Sequence, residues 1–188
     1  MSPAQSSLEK SPMIELVLGG ARSGKSRYAE QRALESGKQC FYIATAQARD
    51  EEMRRRIETH KQRRAPGWTT VEEPLHLGGA LNRCDDAGRC ILVDCLTLWI
   101  SNLLLAGGGV NLEERKQELL EALPRLAADV YLVSNEVGWG IVPMGELSRR
   151  FVDEAGWLMQ DLARICDRVT LVVAGLPTAL KRPETGMA

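Results

Sequence analysis

The sequence contains no Cys-x-x-Cys pair, and only two histidines, His60 and His76, accompany its five cysteines, Cys40, Cys84, Cys90, Cys95 and Cys166. These spacings argue against a zinc cluster. An odd number of unpatterned cysteines reads as free, buried thiols in a reducing cytosol. Neither sign of charge dominates, since 24 Lys and Arg stand against 25 Asp and Glu, a net charge of −1. Such a chain has no general attraction for nucleic acid or a membrane surface, so any phosphate it binds must be held by a local site. No signal peptide is read at the N-terminus, where Met1–Pro12 is rich in Ser, Pro and Gln and is expected to be a disordered leader. One apolar stretch, Ile91–Val110, approaches the length of a bilayer-spanning helix. Asp94 near its start, Ser101 and Asn102 in its middle and Gly107-Gly108-Gly109 at its end favour a buried strand followed by a buried helix. No membrane span is expected.

What is present is ordinary in bulk: 188 residues, 44% hydrophobic and 26% charged. That suits one globular domain, read as residues 13–188. Met13–Leu18 is a short apolar run of the kind that forms a fully buried strand. A helix is expected over about 25–35, with Gly37 at its C-terminal cap. Cys40–Thr45 is a second apolar strand, and Asp50 suits the N-cap of a charged helix over about 50–64, stopped by Pro66-Gly67. Thr69–Val71 suits a short edge strand. Cys90–Asp94, Val130–Ser134 and Val169–Val173 read as further strands. Helices are expected over Leu96–Leu105, over about 112–127 behind Asn111 and Glu114 as caps, and over about 146–165. The residues after Val173 read as a tail. Apolar strands alternating with helices predict an α/β fold, a mostly parallel sheet with helices on both faces. In such sheets ligands sit at the carboxyl ends of the strands, so the loops after Leu18, Thr45, Asp94 and Ser134 are expected to line one crevice.

The first of those loops carries the chemistry. Gly19-Gly20-Ala21-Arg22-Ser23-Gly24-Lys25-Ser26 fits G-x-x-x-x-G-K-[ST] at every defined position, between a buried strand and a helix. Its glycines let successive backbone N–H groups turn toward phosphate oxygens, and the helix N-terminus adds partial positive charge. Lys25 is expected to reach the outer phosphates and Ser26 to ligand Mg²⁺. Asp94, closing Ile91-Leu92-Val93, stands where a Mg²⁺-directed carboxylate belongs, with a strand-end cap as the alternative. The pattern predicts a P-loop NTPase-type fold but leaves the activity open, since that fold serves motors, switches and small-molecule kinases.

The segment from Asp50 to Arg64 is dense in charge. At helical spacing Met53, Ile57, His60 and Arg64 share one face, which suits a helix packed at one end and open to an anion at the other. A neutral imidazole there attacks phosphorus while neighbouring Lys and Arg steady the leaving pyrophosphate. A solvated charged helix with an incidental histidine, or a nucleic-acid patch, reads from the same residues. His76, without an evident partner, reads as structural or surface. Asn135-Glu136 at a strand end either adds polar groups to the crevice or caps a loop.

Several strings together resemble a known family. They are the phosphate loop, Tyr42-Ile43-Ala44-Thr45-Ala46, Asp50-x-Glu52-Met53, Arg56-Ile57-x-x-His60-Lys61, Arg64-x-x-x-Trp68-x-x-x-Glu72, and Ser134-Asn135-Glu136-Val137-Gly138-Trp139-Gly140-Ile141-Val142-Pro143. In order, over about residues 13–175, the chain resembles the bifunctional adenosylcobinamide kinase / adenosylcobinamide-phosphate guanylyltransferase of cobalamin biosynthesis. The resemblance implies phosphorylation of the aminopropanol hydroxyl of adenosylcobinamide by ATP or GTP. It then implies transfer of GMP from GTP, through a guanylyl-histidine, to adenosylcobinamide phosphate, giving adenosylcobinamide-GDP. It places the guanylyl group on His60. It places nucleotide contacts on Gly19, Gly20, Ala21, Arg22, Ser23, Gly24, Lys25, Ser26, Ala44, Thr45, Ala46, Lys61, Gln62, Arg63, Arg64, Glu72 and Asp94. It implies Mg²⁺ as cofactor, corrinoid, GTP and ATP as partners, a cytoplasmic location and a homotrimer. The chain departs from some relatives at Thr59, where they carry a second histidine beside His60. A P-loop kinase of another small molecule, without guanylyl transfer, and a non-catalytic nucleotide switch are the competing readings. His60 and its cations discriminate, since a switch has no use for a nucleophile there.

Overall fold

The computed structural model describes residues 12–47, 51, 54–55 and 67–183. Seven strands form one sheet: β1 (Ile14–Gly19), β2 (Gln39–Ala44), β3 (Thr69–Glu72), β4 (Arg89–Asp94), β5 (Asp129–Asn135), β6 (Arg168–Val173) and β7 (Leu176–Lys181). Their order across the sheet is β3-β2-β4-β5-β1-β6-β7. Every pairing is parallel except β6 with β7. The described helices are α1 (Lys25–Glu35), α2 (Leu77–Cys84), α3 (Leu96–Leu105), α4 (Leu112–Ala122) and α5 (Glu146–Ile165). This is the expected α/β fold with a mostly parallel sheet.

The strands are mostly apolar because both faces are covered; Glu15 interrupts β1, fully buried and accepting from the hydroxyls of Thr170 (2.7 Å) and Tyr28 (3.0 Å). Along β1, Leu16 and Leu18 join one buried cluster and Val17 the other, as the two-residue period of a strand requires. One face, with Ile91, Val93, Val130 and Leu132, meets Leu77, Leu81, Trp99, Leu119, Leu158 and Leu162 of helices α2 to α5. The other, with Leu92, Tyr131, Val133 and Val172, meets α1 through Ala29 and Ala33, both fully buried. Full burial of each large apolar side chain contributes about 1.5–3 kcal/mol. The two small alanines let α1, which carries the phosphate loop, lie close to the sheet.

The Ile91–Val110 stretch is β4 followed by α3, and no helix among the described residues is long and apolar enough to cross a membrane. Asn102, in its middle, is buried and donates to the carbonyls of Thr45 (2.7 Å) and Pro74 (3.3 Å), so its polarity ties down two loops. All five cysteines are free and buried, as read from the sequence. Asn111 caps α4 as expected, accepting from the N–H groups of Glu113 and Glu114. Gly37 follows α1 with a φ of 68°, the left-handed conformation that suits glycine.

Three expectations are corrected. The helix expected to run to 127 ends at Ala122, because Pro124 leads a short 3₁₀ turn, Leu123–Arg125. The expected tail contains β7, an antiparallel edge strand that includes Pro177, tolerated where one side of the ladder faces solvent. A further helix, α2, follows the exposed His76; Gly78 lets it approach α4, since a Cβ there would stand 2.9 Å from the Glu118 carbonyl oxygen. The charged helix expected over 50–64 falls almost wholly outside the described residues. Of it, Glu51, Arg54 and Arg55 are helical and exposed, with Arg54 paired to Glu51 at 2.9 Å.

Candidate functional site: a phosphate loop at the carboxyl edge of the sheet

Strand register sets the site. Gly19 pairs with Asn135, Ala44 with both Glu72 and Asp94, and Leu18 with Ser134. The carboxyl ends of β1 to β5 therefore finish on one edge, and the loops after Leu18, Thr45, Asp94 and Ser134 share it as expected. With strands about 4.8 Å apart, Asp94 on β4 lies two spacings, about 10 Å, from β1. Glu72 on β3 lies four spacings, about 19 Å, away.

The loop from Gly19 to Ser26 is closely fitted to its surroundings. A Cβ at Gly19 would stand 2.5 Å from both Ser23 Oγ and the Val172 carbonyl oxygen, so only glycine fits there. Gly24 has φ 96°, and a Cβ on it would lie 3.1 Å from Gly175 Cα in the β6–β7 turn. That turn also holds the loop directly, as Gly175 N–H donates to the Ser23 carbonyl at 2.7 Å. Arg22 is left-handed too, with φ 57°. From the other side, Glu136 N–H donates to the Gly19 carbonyl at 3.0 Å. Ala21 and Arg22 at the loop tip are exposed, and Ser26 is half-buried at the start of α1.

Lys25 is buried, yet its ammonium makes one hydrogen bond among the described residues, to the Gly20 carbonyl at 3.1 Å. Burial pushes its pKa below the ordinary 10.5, against the opposing attraction of Asp94 and Cys95. Ser23 Oγ and Ser134 Oγ are buried without a hydrogen-bond partner among the described residues. An under-satisfied buried cation beside unpartnered hydroxyls and a strained glycine turn is the arrangement an anion completes.

Asp94 Oδ2 accepts from the Tyr42 hydroxyl at 3.0 Å. Next to it Thr45 is fully buried and bonds Cys95 in both directions, donating Oγ1–H to its carbonyl (2.8 Å) and accepting from its N–H (2.9 Å). Asn135 donates to Thr97 Oγ1 at 3.0 Å, which links the end of β5 to the start of α3. These contacts fix the end of β2, with Ala44, Thr45 and Ala46, against the end of β4. Tyr42 was visible in a matching string, but nothing in the sequence shows that its hydroxyl serves Asp94. Among the described residues no group of three or more His, Cys, Asp or Glu side chains is set to hold a metal. A divalent ion at this edge would depend mainly on the oxygens of a bound triphosphate.

The structure thus brings together Gly19 to Ser26, Ala44 to Ala46 and Asp94, and sets Glu72 on the same edge at the outermost strand. His60, Lys61, Gln62, Arg63 and Arg64 lie outside the described residues.

Comparison with known proteins agrees with this layout. Two solved structures share the fold: a protein of Pyrococcus horikoshii OT3 (TM-score 0.54, 10% identity, 95% of this chain and 91% of that one) and the flagellar accessory protein FlaH of Methanocaldococcus jannaschii (TM-score 0.51, 11% identity, 92% and 80%). Sequence similarity is far higher to the bifunctional adenosylcobalamin biosynthesis protein CobP of Pseudomonas aeruginosa, 59% identical over 169 residues, covering 90% of this chain and 98% of that one. The bifunctional adenosylcobalamin biosynthesis protein CobU of Escherichia coli K12 is 42% identical over 184 residues, covering 90% of this chain and all of that one. The family model described as cobinamide kinase / cobinamide phosphate guanyltransferase matches residues 15–180. On that match, which spans all but the two end residues of the sheet, the chain is an enzyme of the cobinamide kinase / cobinamide phosphate guanyltransferase family.

Proposed function

We propose that residues 13–188 form one catalytic domain that first phosphorylates adenosylcobinamide and then converts the product to adenosylcobinamide-GDP. The family match supports the pair of reactions. The observation that carries the nucleotide site is Lys25, a buried ammonium with one hydrogen bond among the described residues. Buried lysines are otherwise paired, so this one awaits an anion.

In the first reaction the aminopropanol hydroxyl oxygen attacks the γ-phosphorus of ATP or GTP, and the nucleoside diphosphate leaves with the bridging oxygen's electron pair. Backbone N–H groups from Gly20 to Lys25 grip the phosphates, and Lys25 neutralises charge that grows on the bridging and terminal oxygens. Ser26 and Asp94 would hold Mg²⁺, which when bound draws charge from the phosphate oxygens. The residues fit that ion: Asp94 Oδ1 has no hydrogen bond among the described residues, while Oδ2 is steadied by Tyr42. In the second reaction an unprotonated nitrogen of His60 attacks the α-phosphorus of GTP and pyrophosphate leaves. The phosphate of adenosylcobinamide phosphate then takes the GMP group and frees His60. Lys61, Gln62, Arg63, Arg64, Glu72 and Ala44 to Ala46 are assigned to nucleotide contact. On the same resemblance the enzyme works in the cytoplasm as a homotrimer.

The test is product analysis. Purified protein with adenosylcobinamide, Mg²⁺ and ATP or GTP should give adenosylcobinamide phosphate, and with GTP present adenosylcobinamide-GDP and pyrophosphate. Phosphate product without the GDP ester would reduce the assignment to a kinase. Nucleotide binding without either product would leave a switch.

A further inference from the structure

We propose that Glu136 is the catalytic carboxylate that takes the proton from the acceptor hydroxyl in the phosphoryl-transfer step. The inference rests on the kinase reading above and adds a residue to it.

Position is the first observation. β5 lies directly beside β1, and the Glu136 N–H donates to the carbonyl of Gly19, the first residue of the phosphate loop. Asp94 and Glu72 end strands two and four spacings from β1. Among the described carboxylate residues at this edge, Glu136 is therefore the one whose backbone is bonded directly to the phosphate loop.

The second observation is how the side chain is held. Glu136 Oε1 accepts from Gly138 N–H at 2.7 Å. Oε2 has no hydrogen bond among the described residues. One oxygen anchored and one available is what a proton acceptor requires. Asp94 is differently engaged, since Tyr42 donates to it and its charge acts on Lys25, the phosphate side of the site. The two carboxylates thus divide between the nucleotide and the acceptor.

The third observation is a place for the acceptor. Glu136 lines a cavity of about 390 Å³ with Leu18, Val137, Val152 and Met159, between α5 and the ends of β1 and β5. Its lining includes the last residue before the phosphate loop, so an alcohol whose apolar part enters the cavity presents its hydroxyl between Glu136 and the loop. Lys181 closes the far end, its ammonium bonded to the carbonyls of Ala163, Arg164 and Cys166. The chemistry balances. The hydroxyl oxygen forms a bond to the γ-phosphorus, the bond from that phosphorus to the β–γ bridging oxygen breaks, the nucleoside diphosphate departs, and the hydroxyl proton passes to Glu136 and then to solvent.

Two variants test it in the full-length protein. Glu136→Gln keeps size and the Gly138 hydrogen bond but cannot accept the proton. Its kcat for corrinoid phosphorylation should fall about 10²- to 10⁴-fold, with KM for nucleotide and corrinoid and the nucleotide Kd within about threefold of wild type. Glu136→Asp should recover part of the rate. Gly138→Ala places a Cβ 3.1 Å from Glu136 Oε1 and must shift the carboxylate, so it should also lower kcat with nucleotide affinity kept. A Glu136→Gln kcat within threefold of wild type would overturn the proposal and leave the kinase reading intact. A kcat loss matched by equal loss of nucleotide affinity would also overturn it, by making Glu136 a support of the loop. Wild-type protein that phosphorylates no corrinoid alcohol would overturn the kinase reading itself, and this assignment with it.

Discussion

Replacing Lys25 with methionine separates a functional lysine from a structural one. Methionine preserves the length and volume of the stem and removes only the charge and its donors. The loss of one partner from a buried charge contact costs about 2–5 kcal/mol. At about 1.4 kcal/mol per tenfold, nucleotide affinity should weaken roughly 30- to 4000-fold. Stability of the ligand-free protein should move the other way or not at all. Burial already pushes the pKa of Lys25 down, which means the fold disfavours its charge. The one hydrogen bond lost among the described residues is to the carbonyl of Gly20, an exposed residue whose carbonyl water can satisfy. Apolar replacement of a buried charge gives a gain of zero to about 1 kcal/mol here, or roughly zero to +4 °C in melting temperature for a chain of this size. Titration calorimetry with Mg²⁺ and GTP, beside a thermal melt without ligand, reads both numbers. Unchanged affinity with a melting temperature lower by more than about 8 °C would refute the reasoning and make Lys25 a brace for the loop.

Two further outcomes concern stability. Lys116 on α4 is buried between Glu113 (2.9 Å) and Glu154 of α5 (2.8 Å). Lys116→Met strands a buried carboxylate and should cost about 3–5 kcal/mol, whereas Lys116→Met with Glu154→Leu should melt close to wild type; equal losses in the two would show that the pair is not coupled. Burial raises the Cys90, Cys95 and Cys166 thiols from 9.0 to about 12, 11 and 12. Between pH 9 and those values the unfolded chain releases protons that the folded chain keeps, so stability is full below pH 9 and falls as pH rises through the window. Lys25, whose pKa is lowered, opposes this as a single group. Melting under reducing conditions should therefore be flat to about pH 9 and decline above it; a flat profile to about pH 10.5 would contradict the burial of these thiols.

The parts of the fold legible in the sequence are those where local pattern and tertiary role coincide. Ile14, Leu16, Val17 and Leu18 are apolar because β1 is covered on both faces, whereas the burial of Glu15 among them rests on Tyr28, Thr170 and Arg32 and has no local signal; Gly19 to Ser26 is read from spacing alone because backbone geometry demands glycine at both ends of the loop. What escaped had its cause elsewhere in the chain. β7 is exposed on an edge and carries Pro177, so it shows no apolar run. α2 contains Gly78-Gly79, poor helix formers, and the value of Gly78 lies in its contact with α4. Asn102 reads only as a polar interruption of an apolar stretch, yet its amide holds Thr45 and Pro74. The bond from Tyr42 to Asp94 spans 52 residues, and nothing local signals it.

The proposed guanylyl transfer turns on a GMP group carried on His60. The most direct measurement is incubation with GTP labelled at the α-phosphorus and Mg²⁺, followed by denaturing electrophoresis of wild type beside His60→Ala. A label stable to base, lost in acid and absent from His60→Ala is predicted, with corrinoid phosphorylation retained in the variant. No label on wild type that still binds GTP, or an equal label on His60→Ala, would contradict the claim.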